Sequence, residues 1–206
     1  MSHSNDSGIS RGDEAPALDR TAADETMTTP STADLYDRFD DELRVCAPLF
    51  RDFGGRTAFA GTAVTVKCFE DNSRIKETLA EPGHGRVLVA DCGGSLRCAM
   101  LGDLIAESAV AQGWAGVIID GCVRDVMRLA QLDLGIKAIA PTPRKSTRRG
   151  EGQRDLPVQI GGVTVNPGDS VVCDRDGILV APPALLPELI VGPGADFMPE
   201  SVDTQR

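Results

Sequence analysis

RVLVADCGGSLRCAMLGDLIAESAVAQGWAGVIIDGCVRD, residues Arg86–Asp125, carries strand, helix and strand patterns in one unbroken run. RVLVADCGG is a continuous apolar stretch ending in glycines, the pattern of a buried strand. CAMLGDLIAESAVAQGW has the spacing of a helix that ends at Gly113, and AGVIIDGCV is a second buried strand. Strands alternating with helices in this way imply βα units around a central sheet.

The same alternation extends in both directions. Upstream, TPSTADLYDRFDDELRV predicts a helix capped by Ser31 or Thr32, with Leu35, Phe39, Leu43 and Cys46 recurring at helical spacing. FAGTAVTVKCF follows a Gly-Gly turn and is β-branched, hence a strand, and NSRIKETLAE is a helix ended by PGHG. Downstream, RDVMRLAQLDLG predicts a short helix closed by Gly135, and KAIAPTP a strand. After Pro143 the pattern changes. PRKSTRRGEGQRDLPVQIGGVTVNPGDSVVCDRDGILVAP carries GG, NPGD and DRDG beside β-rich runs, which is a hairpin region. The expected fold is therefore α/β, a βα core joined to a β-hairpin layer. Residues 1–29 are polar and aperiodic and predict a disordered tail. The domain is expected over 30–190, with ALLPELIVGPG adding a helix, and a fraying tail over 191–206. No internal repeat is present.

Composition narrows the function. A formal charge of -10 argues against a dedicated nucleic-acid binder, whose footprint is usually basic. The six cysteines form no CxxC pair and the only histidines are His3 and His84, so a zinc site is poorly supported. Cysteines inside apolar runs behave as small hydrophobes, which fits reduced thiols in the cytoplasm. No run approaches the roughly 18 apolar residues of a membrane span, and the N-terminus lacks the apolar region of a signal peptide.

In α/β sheets, ligands bind just outside the carboxyl ends of the strands. RVLVADC leads to GGSLRCAMLGD and GVIIDGCV leads to RD, so neighbouring strands would bring Asp103 to the Arg124–Asp125 pair. Leu104 and Ile105 would follow at a helix start, where backbone N–H groups are free to bind an anion. An Arg, one or two carboxylates and unpaired amides suit a small carboxylate substrate held with a divalent cation. With only Asp and Arg on offer, that cation is Mg²⁺ or Mn²⁺ rather than zinc. The same residues would also serve as a helix cap and a surface charge, and spacing alone leaves both roles open.

Other features carry less. PRKSTRRGEGQR gathers Arg144, Lys145, Arg148, Arg149 and Arg154 in an acidic chain. It reads as a dock for an acidic partner, a basic rim attracting dicarboxylates, a solvated loop or a subunit contact. No aromatic is interleaved for base stacking, which argues against direct nucleic-acid binding. Trp114 reads as core or interface. Cys92, Cys98 and Cys122 lie near the candidate site without a histidine to activate them.

The pattern of Asp103, twenty intervening residues and Arg124–Asp125 resembles the D-x20-R-D signature of one family. That family holds the regulator of ribonuclease activity A (RraA) and the class II 4-hydroxy-4-methyl-2-oxoglutarate aldolases. GGSLRCAMLGD, GWAGVIIDGCVRDV, PRKSTRRGEGQRDLPV, IGGVTVNPGD and DRDGILV resemble family segments in the same order, over about residues 30–185. The resemblance implies a swivelling-type β/β/α domain assembled as a homotrimer or a dimer of trimers. It implies that Gly102, Asp103, Leu104 and Ile105 bind substrate, partly through backbone amides. Arg124 would bind substrate and act with Asp103 in catalysis, and Asp125 would hold the divalent metal. The implied reactions are cleavage of 4-hydroxy-4-methyl-2-oxoglutarate to pyruvate and decarboxylation of oxaloacetate, both through a pyruvate enolate. The alternative it implies is a non-catalytic regulator that binds a ribonuclease complex. The longer aldolases of the family carry a C-terminal extension that brings an acidic residue into a neighbouring site. Glu188 and Glu200 are poor candidates for that role, and the PRKSTRRGEGQRDLPV segment looks closer to the ribonuclease-regulator branch.

Overall fold

The structure, a computed structural model, describes residues 31–185. The expected tails at 1–29 and 191–206 lie outside the described residues, as does ALLPELIVGPG beyond Leu185. Four helices are defined: α1 (Thr32–Phe39), α2 (Ser73–Leu79), α3 (Asp103–Ala111) and α4 (Val126–Leu129). The strands up to the change of pattern are β1 (Arg44–Val45), β2 (Arg51–Asp52), β3 (Phe59–Lys67), β4 (Val87–Leu101), β5 (Gly116–Val123) and β6 (Gly135–Pro141). After it come β7 (Gln153–Arg154), β8 (Val158–Ile160), β9 (Val163–Val165), β10 (Ser170–Cys173) and β11 (Ile178–Ala181).

Nine strands form one sheet in the order β1-β11-β10-β3-β4-β5-β6-β2, with β7 added beside β3. The central four, β3 to β6, are parallel and lie in chain order. Each step is a βα crossover in the same direction. A common right-handed crossover therefore places α2, α3 and α4 on one face of the sheet. The other face needs a different cover, and the β8–β9 hairpin supplies it.

Side chains sort accordingly. Leu88 and Ala90 of β4, and Val117 and Ile119 of β5, pack with Ile75, Leu79, Ile105, Ala106 and Leu129 under the helices. Val87, Val89 and Ile118 alternate with them and pack beneath Val158, Ile160, Val163 and Val165 of the hairpin. Burial on both faces is why these strands read as continuous apolar runs, each full side-chain burial contributing about 1.5–3 kcal/mol. The architecture is three-layered β/β/α, in agreement with the α/β expectation.

Four local expectations are corrected. The helix expected to begin at Cys98 begins at Asp103, because CAML continues β4. Gly93 and Gly94, at φ +65° and +63°, bend the strand, and register shifts against β5 carry it on to Leu101. The Ala99 amide then donates to the Arg144 carbonyl at 2.7 Å, a strand-like partner that its local helical spacing did not reveal. Gly135 opens β6 instead of closing the short helix. Ser31 makes no side-chain cap bond to α1. Its place is taken by Asp174, whose carboxylate accepts from the Thr32 amide and from Thr32 Oγ1, each at 2.7 Å. Finally, GG and DRDG turn the β8–β9 and β10–β11 hairpins, while NPGD carries the chain from the hairpin layer to the main sheet.

Candidate active site

β4 and β5 are parallel neighbours whose register ends at Leu101 opposite Val123. The next residues, Gly102 and Arg124, therefore leave the sheet side by side, tied by the Arg124 amide donating to the Leu101 carbonyl at 2.9 Å. Asp103 opens α3, and Asp125, one residue before α4, adopts the left-handed conformation at φ 59°, ψ 36°. A short polar side chain tolerates that region best, and strain of this kind is characteristic of functional sites. It turns the Asp125 carboxylate back onto its neighbour, where Arg124 Nε donates to Oδ2 at 2.9 Å. The Arg124 hydrogen bond holds the Asp125 carboxyl below its ordinary range. Arg124's charge and the Asp103 amide act in the same sense, and partial burial opposes them.

Gly102 is extended, so its backbone alone would accept any residue. What demands glycine is proximity. A Cβ there would lie 2.9 Å from Asp125 Oδ2 and 3.2 Å from Arg124 Cγ. The start of α3 is also more occupied than the sequence suggests. The Asp103 amide faces Asp125, and the Leu104 amide donates to Asp103 Oδ1 at 2.8 Å. Among the described residues, no acceptor within the chain engages the Ile105 amide, so it is the donor left for an incoming anion. The Leu104 side chain is exposed and the Ile105 side chain is packed in the core, so the Ile105 contribution is through its main chain.

Opposite these residues runs the strap 144–150, which the sequence left among several roles. Its backbone is tied to the start of α2. Thr147 N donates to the Glu70 carbonyl at 2.9 Å, Asn72 N to the Thr147 carbonyl at 3.3 Å, and Gly150 N to Ser73 Oγ at 3.0 Å. The Arg149 amide donates to the buried Asp71 carboxylate. Between strap and strand ends lies a cavity of about 580 Å³. Every sequence-predicted site residue lines it: Gly102, Asp103, Leu104, Ile105, Arg124 and Asp125. Asn72, Ala99 and Lys145–Arg149 complete the wall. The basic run was the visible signal for that wall, whereas nothing local marked Asn72.

The donors fit a hard divalent cation. Asp103 and Asp125 adjoin, and among the described residues no group of three His, Cys, Asp or Glu could hold an ion unaided. The Asp125 carboxylate with waters and substrate oxygens would make a Mg²⁺- or Mn²⁺-type shell beside Asp103, whereas a zinc site needs three or four protein ligands. The cysteines take no part. All six are free and buried, and burial raises the Cys98 and Cys122 thiols and pushes Cys46 up to about 12. Trp114 is core, its Nε1 donating to the Glu81 carbonyl at 3.0 Å. Among the described residues no helix is long and apolar enough to cross a membrane.

Comparison with known proteins adds three relatives. Residues 32–180 match the family model described as RraA-like: Aldolase/RraA. A protein of Alkalilimnicola ehrlichii, provisionally named 4-hydroxy-4-methyl-2-oxoglutarate aldolase, is 56% identical over 155 residues, covering 75% of this chain and 96% of its own. The crystal structure from Geobacillus kaustophilus titled S-adenosylmethionine: 2-dimethylmenaquinone methyltransferase is 45% identical with a TM-score of 0.75, covering 77% of this chain and 98% of that one. The structure of the RNA-processing inhibitor RraA from Thermus thermophilis is 42% identical with a TM-score of 0.73, covering 75% and 94%.

Proposed function

From the premise that this chain belongs to the RraA-like family, we propose that it is a divalent-metal-dependent lyase. It cleaves 4-hydroxy-4-methyl-2-oxoglutarate to pyruvate and decarboxylates oxaloacetate. The observation that carries this reading is the convergence of Asp103 with Arg124–Asp125 at the ends of adjacent parallel strands, in one small cavity.

In the cleavage, the C4 hydroxyl loses its proton, the C3–C4 bond breaks, and its electron pair moves through C3 onto the keto oxygen. Arg124 presents a planar, permanently charged fork to that oxygen, where negative charge develops. The Ile105 amide at the start of α3 donates to the substrate carboxylate. Asp103, with Oδ1 fixed by the Leu104 amide, accepts the hydroxyl proton on its other oxygen, directly or through a water. Bound by Asp125 beside Asp103, Mg²⁺ or Mn²⁺ would supply Lewis acidity towards the carboxylate and keto oxygens. Decarboxylation ends in the same electron displacement but loses CO₂ without a base, so the Asp103 proton step drops out.

The lining decides among the names of the relatives. Among the described residues it includes four cations and no aromatic ring, which suits a small anion and offers an adenosyl group nothing to stack on. The strap's contribution to the wall weakens a purely non-catalytic regulator reading, which would leave the cavity without a role. A homotrimer or dimer of trimers and a cytoplasmic setting belong to the same reading, the latter supported by the free thiols.

The test is pyruvate release from each substrate by the purified protein, with and without a chelator. Mg²⁺ should restore chelated protein, and Arg124→Ala should lower turnover by about 10²–10³-fold at unchanged melting temperature. Turnover indifferent to chelator, or intact in Arg124→Ala, sinks the enzyme reading.

A further inference from the structure

The two walls of the cavity differ in charge. On the strand-end wall, Arg124 is balanced by Asp125, with Asp103 beside them. The strap wall carries Lys145, Arg148 and Arg149, and among the described residues none of the three forms an ion pair. Among the described residues Arg38, Arg51, Lys76, Arg86, Arg144 and Arg175 also form no ion pair, so what sets the three apart is that they share one wall of a cavity. Three uncompensated cations on one wall of a cavity concentrate positive potential inside an otherwise acidic molecule.

The strap is also held in place. Its main chain is bonded at Arg144, Thr147, Arg149 and Gly150 to β4 and to residues 70–73, so its cations project from fixed backbone. Asn72 extends that control to a side chain. It is buried and makes four hydrogen bonds: its amide to the Thr147 carbonyl, its carbonyl from the Lys76 amide at 3.0 Å, Nδ2 to the Met100 carbonyl at 3.1 Å, and Oδ1 from Arg148 Nε at 3.4 Å. An anion arriving at Arg148 would meet a donor already partly ordered, which reduces the entropic cost of binding.

We propose that Lys145, Arg148 and Arg149 form a second anion subsite that selects substrates carrying a carboxylate at the end remote from the keto acid, with Asn72 as the positioning residue for Arg148. The proposal rests on the keto-acid reading of the same cavity. The pole at Arg124 and α3 takes the α-keto carboxylate, and the strap takes the distal carboxylate.

Calorimetric titration with two probes that the enzyme cannot cleave, pyruvate and 2-oxoglutarate, in Mg²⁺-containing buffer separates the poles. The wild type should bind 2-oxoglutarate about tenfold or more tightly than pyruvate, since a charge-assisted contact is made only by the dicarboxylate. In Arg148→Ala/Arg149→Ala that ratio should collapse to about threefold or less, through loss of 2-oxoglutarate affinity with pyruvate affinity retained. The Arg148→Lys/Arg149→Lys variant should recover part of the ratio, a response that a merely structural role would not give. Asn72→Ala should lower the ratio partway, read alongside its melting temperature. Equal wild-type affinities for the two probes overturn the second subsite, as does a ratio that survives the double alanine variant. A parallel loss for both probes also overturns it, leaving the strap as a general attractor of anions. Binding of neither probe by the wild type overturns the keto-acid reading itself.

Discussion

The two ends of the parallel sheet use the same device for opposite purposes. At the amino ends, the buried Phe59 ring lies against Gly116 and Gly135, where a Cβ would come within 2.3 and 2.0 Å of ring carbons. The missing side chains let one aromatic ring seal the bottoms of β5 and β6. At the carboxyl ends, the missing side chain of Gly102 lets Arg124 and Asp125 fold over the strand end, beside an open cavity. A glycine at one end is filled by packing. At the other it makes room for charge. The difference follows from direction: βα crossovers put the starts of the helices, with their free amides, at the carboxyl ends alone.

Substitutions at the two ends should therefore fail in different ways. The largest effect is expected at the carboxyl end. Asp103→Asn should depress aldol cleavage by about 10²-fold or more while decarboxylation falls far less, since only cleavage needs the proton acceptor. Steady-state kinetics on both substrates would show this, and equal losses would remove Asp103 from the proton step. Next is Gly135→Ala, whose new methyl collides with the Phe59 ring. It should cost about 1–3 kcal/mol in denaturant unfolding, with activity per folded molecule retained. A stable Gly135→Ala protein would mean that the ring moves freely and the seal is loose. Gly102→Ala should do the converse, lowering turnover by about tenfold, some 1.4 kcal/mol of barrier, at an unchanged melting temperature. If Gly102→Ala instead lowers stability and spares turnover, the contrast between the ends collapses.

The smallest effect is expected away from both ends, at the Asp174 clamp on α1. Burial alone would raise the Asp174 carboxyl, but hydrogen bonds from Thr32 and from the Asp176 and Gly177 amides outweigh it and leave it lowered. A carboxyl lowered in the folded state contributes stability that is present above its unfolded value and lost as pH falls through its folded one. Asp174→Asn should thus cost about 1 kcal/mol near neutrality, as a lost helix cap does, and flatten the acid side of the stability profile. Urea unfolding at neutral and acid pH measures both, and parallel profiles for variant and wild type would exclude the clamp.

The parallel core was legible because its strands are buried on both faces, which writes long apolar runs into VLVADC and GVIIDGCV. The meeting of Asp103 with Arg124–Asp125 was legible because strand ends are where such sheets bind ligands, and the family segments supplied the roles proposed for them. Three features were not. The cap of α1 comes from a residue 142 positions away in sequence. The extension of β4 through CAML depends on the Arg144 carbonyl, and local spacing favoured helix there. The second wall of the cavity depends on residues 70–73 holding residues 147–150, a pairing without any local pattern.

By itself, the sequence determined the order of the core strands and helices from residue 59 to residue 141, the faces they bury and the residues available at each strand end. These follow from periodicity and turn chemistry, which act between near neighbours. Only the tertiary structure decided that the basic run of residues 145–149 lines the cavity opposite the strand ends, and that Asn72 stands behind Arg148. It also decided that the α3 amide at Leu104 is already engaged and that the Asp103 amide faces Asp125, leaving Ile105. Those outcomes depend on hydrogen bonds and close approaches, many of them between segments distant in the chain, which exist only once the sheet has brought the segments together.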